Sequence, residues 1–428
     1  METSYYLAAD KRFYEPFDRR PVEALDYLDF VASRLTDGRT LVRKGVWVHC
    51  HNGKVLPIQG WKIHLSTVPQ DARRLLEAAV PYLMERGVSF KFLGDARTLR
   101  MMNAKTWGRG GSGKFITIYP ADTDEFKRLL EELEPLTREF RGPYILSDRR
   151  YKDSKVLYYR YGGILSNSRL QSDGTRTPMI VAPDESEIED VRTPTFQPPE
   201  WAKDPFPEAK NLKEGEALNH GRYAVEKALQ FSNSGGVYIA QDLVAGRRVV
   251  LKEARADVYG LSDIDDAATL LRDEFAVLKR IDDCGFAPRP IELFQEWEHL
   301  FLAEEYLEGY VPVRTLVVQG AMLLETRPTR ETVARYLRRD IEILRQLAAI
   351  IDQLHARDVV WGDISFNNIL VHPDTLDVKI IDLESAHIIG SGKRRRIFTP
   401  GFVDASTMSL AAPTIADDYY GFGAIMLH

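Results

Sequence analysis

Two carboxylates and an amide in the last quarter of the chain could together handle a phosphoryl group. In Trp361-Gly362-Asp363-Ile364-Ser365-Phe366-Asn367-Asn368-Ile369-Leu370 an Asp and an Asn lie five residues apart ahead of a strand-like stretch, and Ile380-Ile381-Asp382-Leu383-Glu384 follows. An Asp so placed can orient an attacking hydroxyl, while Asn368 and Asp382 offer the hard oxygens that Mg²⁺ prefers. Upstream, Val249-Val250-Leu251-Lys252 sets a cation on a strand-like run, and Glu274, in the helical stretch that follows, is its natural ion-pair partner. Ser232-Asn233-Ser234-Gly235-Gly236-Val237-Tyr238 supplies Gly235 and Gly236, whose missing Cβ atoms let backbone amides approach nucleotide phosphates.

A second, basic set lies within the first 160 residues. Strict alternation in Trp61-Lys62-Ile63-His64-Leu65 puts Lys62 and His64 on one strand face and the apolar residues on the other. Lys91, between Phe90 and Phe92, faces away from its aromatic neighbours. Arg97, Arg100, Lys105, Arg109 and Lys114 fall in a stretch with no acidic residue, interleaved with Gly108, Gly110, Gly111 and Gly113, and Arg149, Arg150, Lys152, Lys155 and Arg160 follow. Converging cations and glycines would make a phosphate pocket; read singly, the same residues are scattered surface charge. A lysine among cations loses its proton more readily and can act as a base, and a histidine can protonate a departing phosphate. Together they would remove an α-proton and expel phosphate, leaving a double bond.

Periodicity names the elements that must position these groups. Strands are expected at Trp61–Ser66, Phe90–Leu93, Phe115–Tyr119 and Val156–Arg160, and helices at Asp71–Arg86 and Asp124–Phe140. Pro81 is expected to kink or break the first helix. The first block, residues 1–165, is thus α+β. Residues 166–212 hold Pro178, Pro183, Pro194, Pro198, Pro199, Pro205 and Pro207, which predicts a linker without regular ladders, packed on a domain through Val191, Phe196, Trp201 and Phe206. Residues 213–428 read as strands first, then a helix at Ala267–Ile281 and a long amphipathic helix at Glu331–Arg357, a two-lobed order.

Composition narrows the classes further. The 428 residues are 44% apolar and 28% charged with a net charge of -6, which fits a globular chain and argues against non-specific polyanion binding. Two cysteines, Cys50 and Cys284, exclude a disulfide framework, a CxxC redox pair and a Cys-rich zinc site. No apolar run reaches the ~18 residues of a membrane span, and Met1–Phe17 lacks the apolar stretch of a signal peptide. A cytoplasmic protein with neither nucleic-acid nor membrane partners is the expectation.

The C-terminal set resembles an atypical protein kinase, with Thr399-Pro400-Gly401 like the end of an activation segment and Asp418-Tyr419-Tyr420-Gly421-Phe422-Gly423 like the helix that anchors the catalytic loop. Trp361-Gly362 replaces His-Arg and Asp382-Leu383-Glu384 replaces Asp-Phe-Gly, so switching by a phosphorylated activation loop is not expected. Adding Trp61-Lys62-Ile63-His64, Phe90-Lys91-Phe92-Leu93, Gly113–Pro120, Ile145-Leu146-Ser147-Asp148-Arg149 and Tyr159-Arg160-Tyr161-Gly162-Gly163, the whole chain resembles class III lanthipeptide synthetases, and its first block is similar to phosphothreonine lyases. The resemblance implies a phosphothreonine-lyase-like domain, then a kinase-like domain whose C-lobe is incomplete, with a cyclase absent. It implies ATP or GTP with Mg²⁺, a precursor peptide carrying a leader as substrate, and phosphorylation of Ser/Thr followed by elimination to dehydroalanine or dehydrobutyrine. Oligomerisation through regions beyond this chain stays open. Lys91 matches the family's general base and His64 its general acid. Lys62, Lys114, Arg149 and Arg160 match phosphate or backbone contacts, with Lys105 and Arg109 in the same region and Arg150 leaving the register open by one. Lys252, Glu274, Asp363, Asn368 and Asp382 match the kinase set. Lys393 and Arg394 to Arg396 could meet acidic peptide or phosphate. The alternative is an atypical Ser/Thr kinase whose first domain only binds phosphorylated partners.

Overall fold

The computed structural model describes residues 26–36, 38–105, 107–191, 193, 195–207, 217–259, 265–319, 327–392, 398–399, 401–407 and 412–427. They fall into two compact units. The first takes Met1–Glu214 with Phe231–Gly235 and Arg255–Ala267; the second takes Gly215–Gln230, Gly236–Ala254 and Ala268–His428.

In the first unit a seven-stranded, all-antiparallel sheet runs in the order β1-β2-β4-β5-β3-β7-β6. Its strands are β1 Thr40–Lys44, β2 Trp47–His51, β3 Gln59–Leu65, β4 Ser89–Leu93, β5 Ile116–Tyr119, β6 Arg149–Arg150 and β7 Leu157–Gly163. Trp61, Ile63, Leu65, Phe90, Phe92, Ile116, Ile118, Leu157 and Tyr159 form a core with the apolar stripes of two helices, α2 Ala72–Glu85 and α4 Thr123–Thr137. The shorter α1 Asp26–Ala32 and α3 Ala96–Asn103 add Phe30 and Leu99 to it. Each fully buried side chain of this size contributes roughly 1.5–3 kcal/mol. A one-residue slip of β3 would push Lys62 and His64 into that core and expose Trp61, Ile63 and Leu65, so burial of one face locks the polar residues onto the other.

The structure departs from two expectations. α2 runs unbroken through Pro81, which is exposed, so the helix carbonyl that loses its donor can turn to water. The Pro-rich stretch does form ladders: β8 Ser168–Leu170, β9 Arg176–Val181 and β10 Glu187–Glu189 make a three-stranded sheet. Pro178, inside β9, cannot donate to the ladder, but its carbonyl still accepts from the Asp190 amide at 2.9 Å. Beyond the sheet, Phe196, Trp201 and Phe206 pack against the core of the same unit.

The second unit is built on a five-stranded antiparallel sheet, β11 Tyr223–Ser232, β12 Gly235–Asp242, β13 Arg247–Ala254, β14 Pro290–Glu296 and β15 His299–Glu305, in the order β11-β12-β13-β15-β14. Between β13 and β14 comes α5 Ala267–Arg280, and after the sheet α6 Arg330–His355. Leu347, Ile350, Ile351 and Leu354 of α6 are buried, whereas Leu337 and Ile341, on the same expected stripe, are about half exposed. Short ladders follow: β16 Val311–Pro312 with β18 Ile369–Val371 and β19 Val378–Ile380, and β17 Val359–Val360 with β20 His387–Ile388. The last described helix is α7 Ile415–Leu427. No helix among the described residues is long and apolar enough to cross a membrane.

Candidate active sites

Residues directly opposite one another in an antiparallel pair project from the same face. In the first unit His49 pairs with Lys91, Lys91 with Thr117, Thr117 with His64, His64 with Tyr158, and Tyr158 with Arg150. These residues therefore make one row across the polar face. Lys91 and His64 are two strands apart in it, with Cα atoms about 10 Å from each other at the usual strand spacing. Lys62 and Arg160 pair directly two residues away on the same face.

His64 is 4% exposed, and its Nδ1 lies 2.5 Å from Oδ2 of Asp148, itself 1% exposed. The carboxylate fixes the imidazole tautomer and turns Nε2 away from itself. Ser147 Oγ donates to Asp148 Oδ1 at 2.8 Å, and Lys114 Nζ reaches Ser147 Oγ at 3.2 Å, Gly110 O at 3.0 Å and Asp148 Oδ1 at 3.9 Å. Burial opposes ionisation of Asp148, yet His64, Lys114 and Arg160 outweigh it and hold the carboxyl well below its usual range. Burial pushes the His64 imidazolium down to about 3 against the pull of Asp148, and Lys114 and Lys62 repel it further. The pair is thus a neutral imidazole beside a carboxylate. A phosphate dianion would oppose the two causes of that shift, desolvation of the cation and its repulsion by lysines, and so favour protonated His64.

The other predicted cations divide. Lys62 Nζ donates to Gly163 O at 2.7 Å, and Arg160 Nη2 to Asp190 Oδ1 at 2.5 Å. Gly162 leaves room for that pair: a Cβ there would lie 2.8 Å from Asp190 Oδ1. Arg149 pairs with Tyr159, whose ring is in the core, so Arg149 projects from the face opposite His64; it bonds Asp204 and lies 4.5 Å over the Phe196 ring. The register left open by one therefore puts Arg150, not Arg149, in the row with His64. Arg150 stacks on Tyr144 and Tyr158. Lys105 and Arg109 belong to the loop between α3 and β5, off the sheet rows, with the Arg109 guanidinium 4.5 Å over the Phe231 ring. Asp148 appears in the sequence motif, but no role follows from spacing for a residue so far from His64 along the chain.

In the second unit Lys252 Nζ lies 2.5 Å from Glu274 Oε1, which also accepts from the Leu383 amide at 3.0 Å. Glu304 is a second carboxylate, 3.6 Å from the same amine. Burial works against charge on Lys252, but Glu274, Glu304 and Asp382 outweigh it and raise it above the usual lysine range. Glu304 is pushed up to about 7, first by burial and then by Glu274 and Asp382. Its signal was an acidic residue on the same face of β15 as the partners of Lys252, visible only once β13 and β15 are in register.

Asp363 accepts from the Thr399 amide at 2.8 Å and from Asn368 Nδ2 at 3.2 Å. Its carboxyl is raised by burial, against those hydrogen bonds, and further by Asp382. Asp418 is fully buried and accepts from the Trp361 and Gly362 amides at 2.9 and 2.8 Å and from His355 at 2.9 Å, which anchors the loop that carries Asp363. Gly362 explains the missing Arg: its φ is +80°, and a Cβ would lie 2.9 Å from Ser385 O. Asp382 also holds a left-handed backbone, φ 60°, which a non-glycine residue adopts at a cost. Asn368 and Asp382 fit Mg²⁺ by donor type, and the mutual repulsion of Asp363 and Asp382 is what a divalent cation would relieve. Among the described residues there is no cluster of three or more His, Cys, Asp or Glu suited to a metal. Gly236 leaves space that the Tyr238 ring takes, and Tyr238 Oη donates to Glu253 at 2.6 Å. Lys393 to Arg396 and Pro400 lie outside the described residues.

Residues 28–218 match the family model of the RamC N-terminal domain, and residues 223–428 that of the protein kinase domain. A probable SapB synthase from Streptomyces coelicolor is 35% identical over 404 residues, covering 93% of this chain and 43% of that protein. The chain carries a RamC N-terminal domain followed by a protein kinase domain. Its RamC N-terminal domain carries the His64 row, and its kinase domain carries Lys252, Asp363 and Asp382. Serine/threonine-protein kinase 17A of Oryctolagus cuniculus is 22% identical over 227 residues, 52% of this chain and 50% of that kinase. The chain spans about half the length of the curated relatives it matches. A kinase domain means use of a nucleotide such as ATP, typically with Mg²⁺.

Proposed function

We propose that the chain dehydrates Ser and Thr of a precursor peptide in two steps. In the kinase domain Asp363 orients the substrate hydroxyl, which attacks the γ-phosphorus of ATP while the bond to the β-phosphate oxygen breaks. Lys252, held by Glu274, contacts the nucleotide phosphates. Asn368 and Asp382 would hold magnesium, whose charge offsets that of the phosphates. In the RamC domain the Lys91 amine takes the α-proton of the phosphorylated residue. The released electron pair forms the Cα–Cβ double bond, the Cβ–O bond breaks, and phosphate leaves with a proton from His64 Nε2. Lys62, Lys114 and Arg160 supply positive potential around the leaving group, with Lys114 also holding Asp148 in place.

The observation that carries the reading is the single row His49-Lys91-Thr117-His64-Tyr158-Arg150, with Asp148 behind His64. Lys91 and His64 share one face about 10 Å apart, a span that a phosphorylated Ser or Thr can bridge between its α-hydrogen and its ester oxygen once the long lysine side chain reaches inward. The test is mass spectrometry of a candidate precursor peptide incubated with the chain, ATP and Mg²⁺. Phosphate adducts followed by net loss of water are expected. Lys91→Ala should stop at the adduct, and Asp363→Asn should give no adduct. Normal dehydration by Lys91→Ala would remove the assigned base; a stable adduct with the unaltered chain would favour a kinase whose first domain only binds phosphorylated partners.

A further inference from the structure

We infer that Trp47 is a positioning residue of the elimination site: its indole face docks the Lys91 ammonium when no substrate is bound and so sets the pH above which Lys91 becomes a base. The inference rests on the reading of Lys91 as that base. Lys91 Nζ lies 4.3 Å from the Trp47 ring centroid. Trp47 begins β2 and pairs with Leu93, two residues from Lys91, so alternation puts Trp47, His49 and His51 on the face of Lys91.

The remaining groups on that face make the indole matter. β2 contributes His49, directly opposite Lys91, and His51, stacked on His49 with centroids 5.8 Å apart. β1 contributes Lys44, opposite Trp47. β5 contributes the uncharged Thr117, and beyond it β3 contributes His64 with Asp148 behind. Burial, then Lys91, His51 and Lys44, push the His49 imidazolium down to about 4, so His49 is neutral near pH 7. With His49 neutral, the cations left on these strands are Lys44, and His51 when it carries a proton, and they favour loss of the Lys91 proton. The Trp47 π-face attracts the ammonium and has no such attraction for the neutral amine, so it opposes them. A contact of this kind is enough to move a titration midpoint by roughly half to one and a half pH units.

Docking and catalysis are then alternatives for Lys91. A substrate whose α-hydrogen lies toward His64 draws the amine off the indole and along the row, and leaving the ring makes the proton easier to lose.

The experiment follows phosphate release from a synthetic phosphoserine peptide across pH, using the full chain and its Trp47→Leu, Trp47→Phe and Lys91→Ala variants. For Trp47→Leu the midpoint of the acid limb should fall by about half to one and a half units, so that release below the midpoint speeds up several-fold. Its high-pH plateau should be unchanged, because the amine that abstracts the proton has already left the ring. Trp47→Phe, with a smaller π-face, should lie between. An unmoved midpoint in both Trp47 variants, or a loss of rate uniform across pH, overturns the role of Trp47 while a dead Lys91→Ala keeps the base assignment. Release persisting in Lys91→Ala overturns the assignment itself.

Discussion

Replacing Asp148 by Asn should cripple elimination and leave phosphorylation intact. The carboxylate accepts from His64 Nδ1 at 2.5 Å and Ser147 Oγ at 2.8 Å, with Lys114 Nζ at 3.9 Å. An Asn keeps the shape, but if its oxygen faces His64, its NH₂ confronts the Ser147 hydroxyl and the Lys114 ammonium. If it turns the other way, the NH₂ meets Nδ1 and the imidazole tautomer reverses; in either pose His64 loses the negative charge that favours its protonation. General acid catalysis is typically a factor of about 10²–10⁴, or roughly 3–5 kcal/mol of barrier at about 1.36 kcal/mol per decade. The same change removes one partner of a buried charged cluster, which costs about 3–5 kcal/mol of stability. Rates therefore belong with a melting curve, at a temperature where the variant is folded. In the coupled reaction phosphorylated peptide should accumulate, and release of phosphate from a phosphoserine peptide should slow by roughly two to four orders of magnitude. If His64 and Asp148 act as a unit, the His64→Ala/Asp148→Asn double variant should be barely slower than His64→Ala alone. Losses that multiply, or an Asp148→Asn chain that eliminates at the original rate, would refute the pairing as the working acid.

Glu304, held near 7 in the fold and so well above the usual range of a glutamate, binds more protons folded than unfolded between those values. It contributes stability at low pH that is lost as pH rises toward 7. Glu304→Gln should accordingly gain roughly 1–3 kcal/mol relative to the unaltered chain at about pH 8 compared with about pH 5, read by denaturant melts at the two pH values. Arg150→Ala should lower elimination about tenfold with little change in melting, while Arg149→Ala, which loses Asp204 and the Phe196 stack, should cost about 1–3 kcal/mol and leave the folded enzyme's elimination rate intact. The reverse pattern would put Arg149 at the site. Gly362→Ala forces a Cβ into left-handed backbone 2.9 Å from Ser385 O; a strain of about 1–3 kcal/mol beside Asp363 should slow phosphorylation far more than elimination of a pre-phosphorylated peptide.

What could be read from the sequence depended on how local the physics was. Alternation within one strand assigned Lys62 and His64 to a face correctly, and separated Lys91 from Phe90 and Phe92, because side-chain direction in a strand depends only on the residue's own parity. Helical stripes at Asp71–Arg86 and Asp124–Phe140 were legible for the same reason, and the structure has α2 and α4 there. Pro81 misled because it lies on the exposed side of α2, where the carbonyl it deprives of a donor can turn to water, and exposure is a tertiary property. The identity of cross-strand neighbours is not local either. Arg149 and Arg150 are equally basic, and which one meets His64 is decided by the short strand β6 pairing with Tyr159 and Tyr158. Asp148 precedes that strand, and its approach to His64 closes 84 residues of chain. Asp148 was therefore the part least accessible to spacing arguments, although it sets the tautomer of the His64 imidazole. The same logic separates Glu274 from Glu304: a helix after the Lys252 strand made the first foreseeable, whereas the second comes from a strand further along the chain, brought beside Lys252 only by the β13–β15 register.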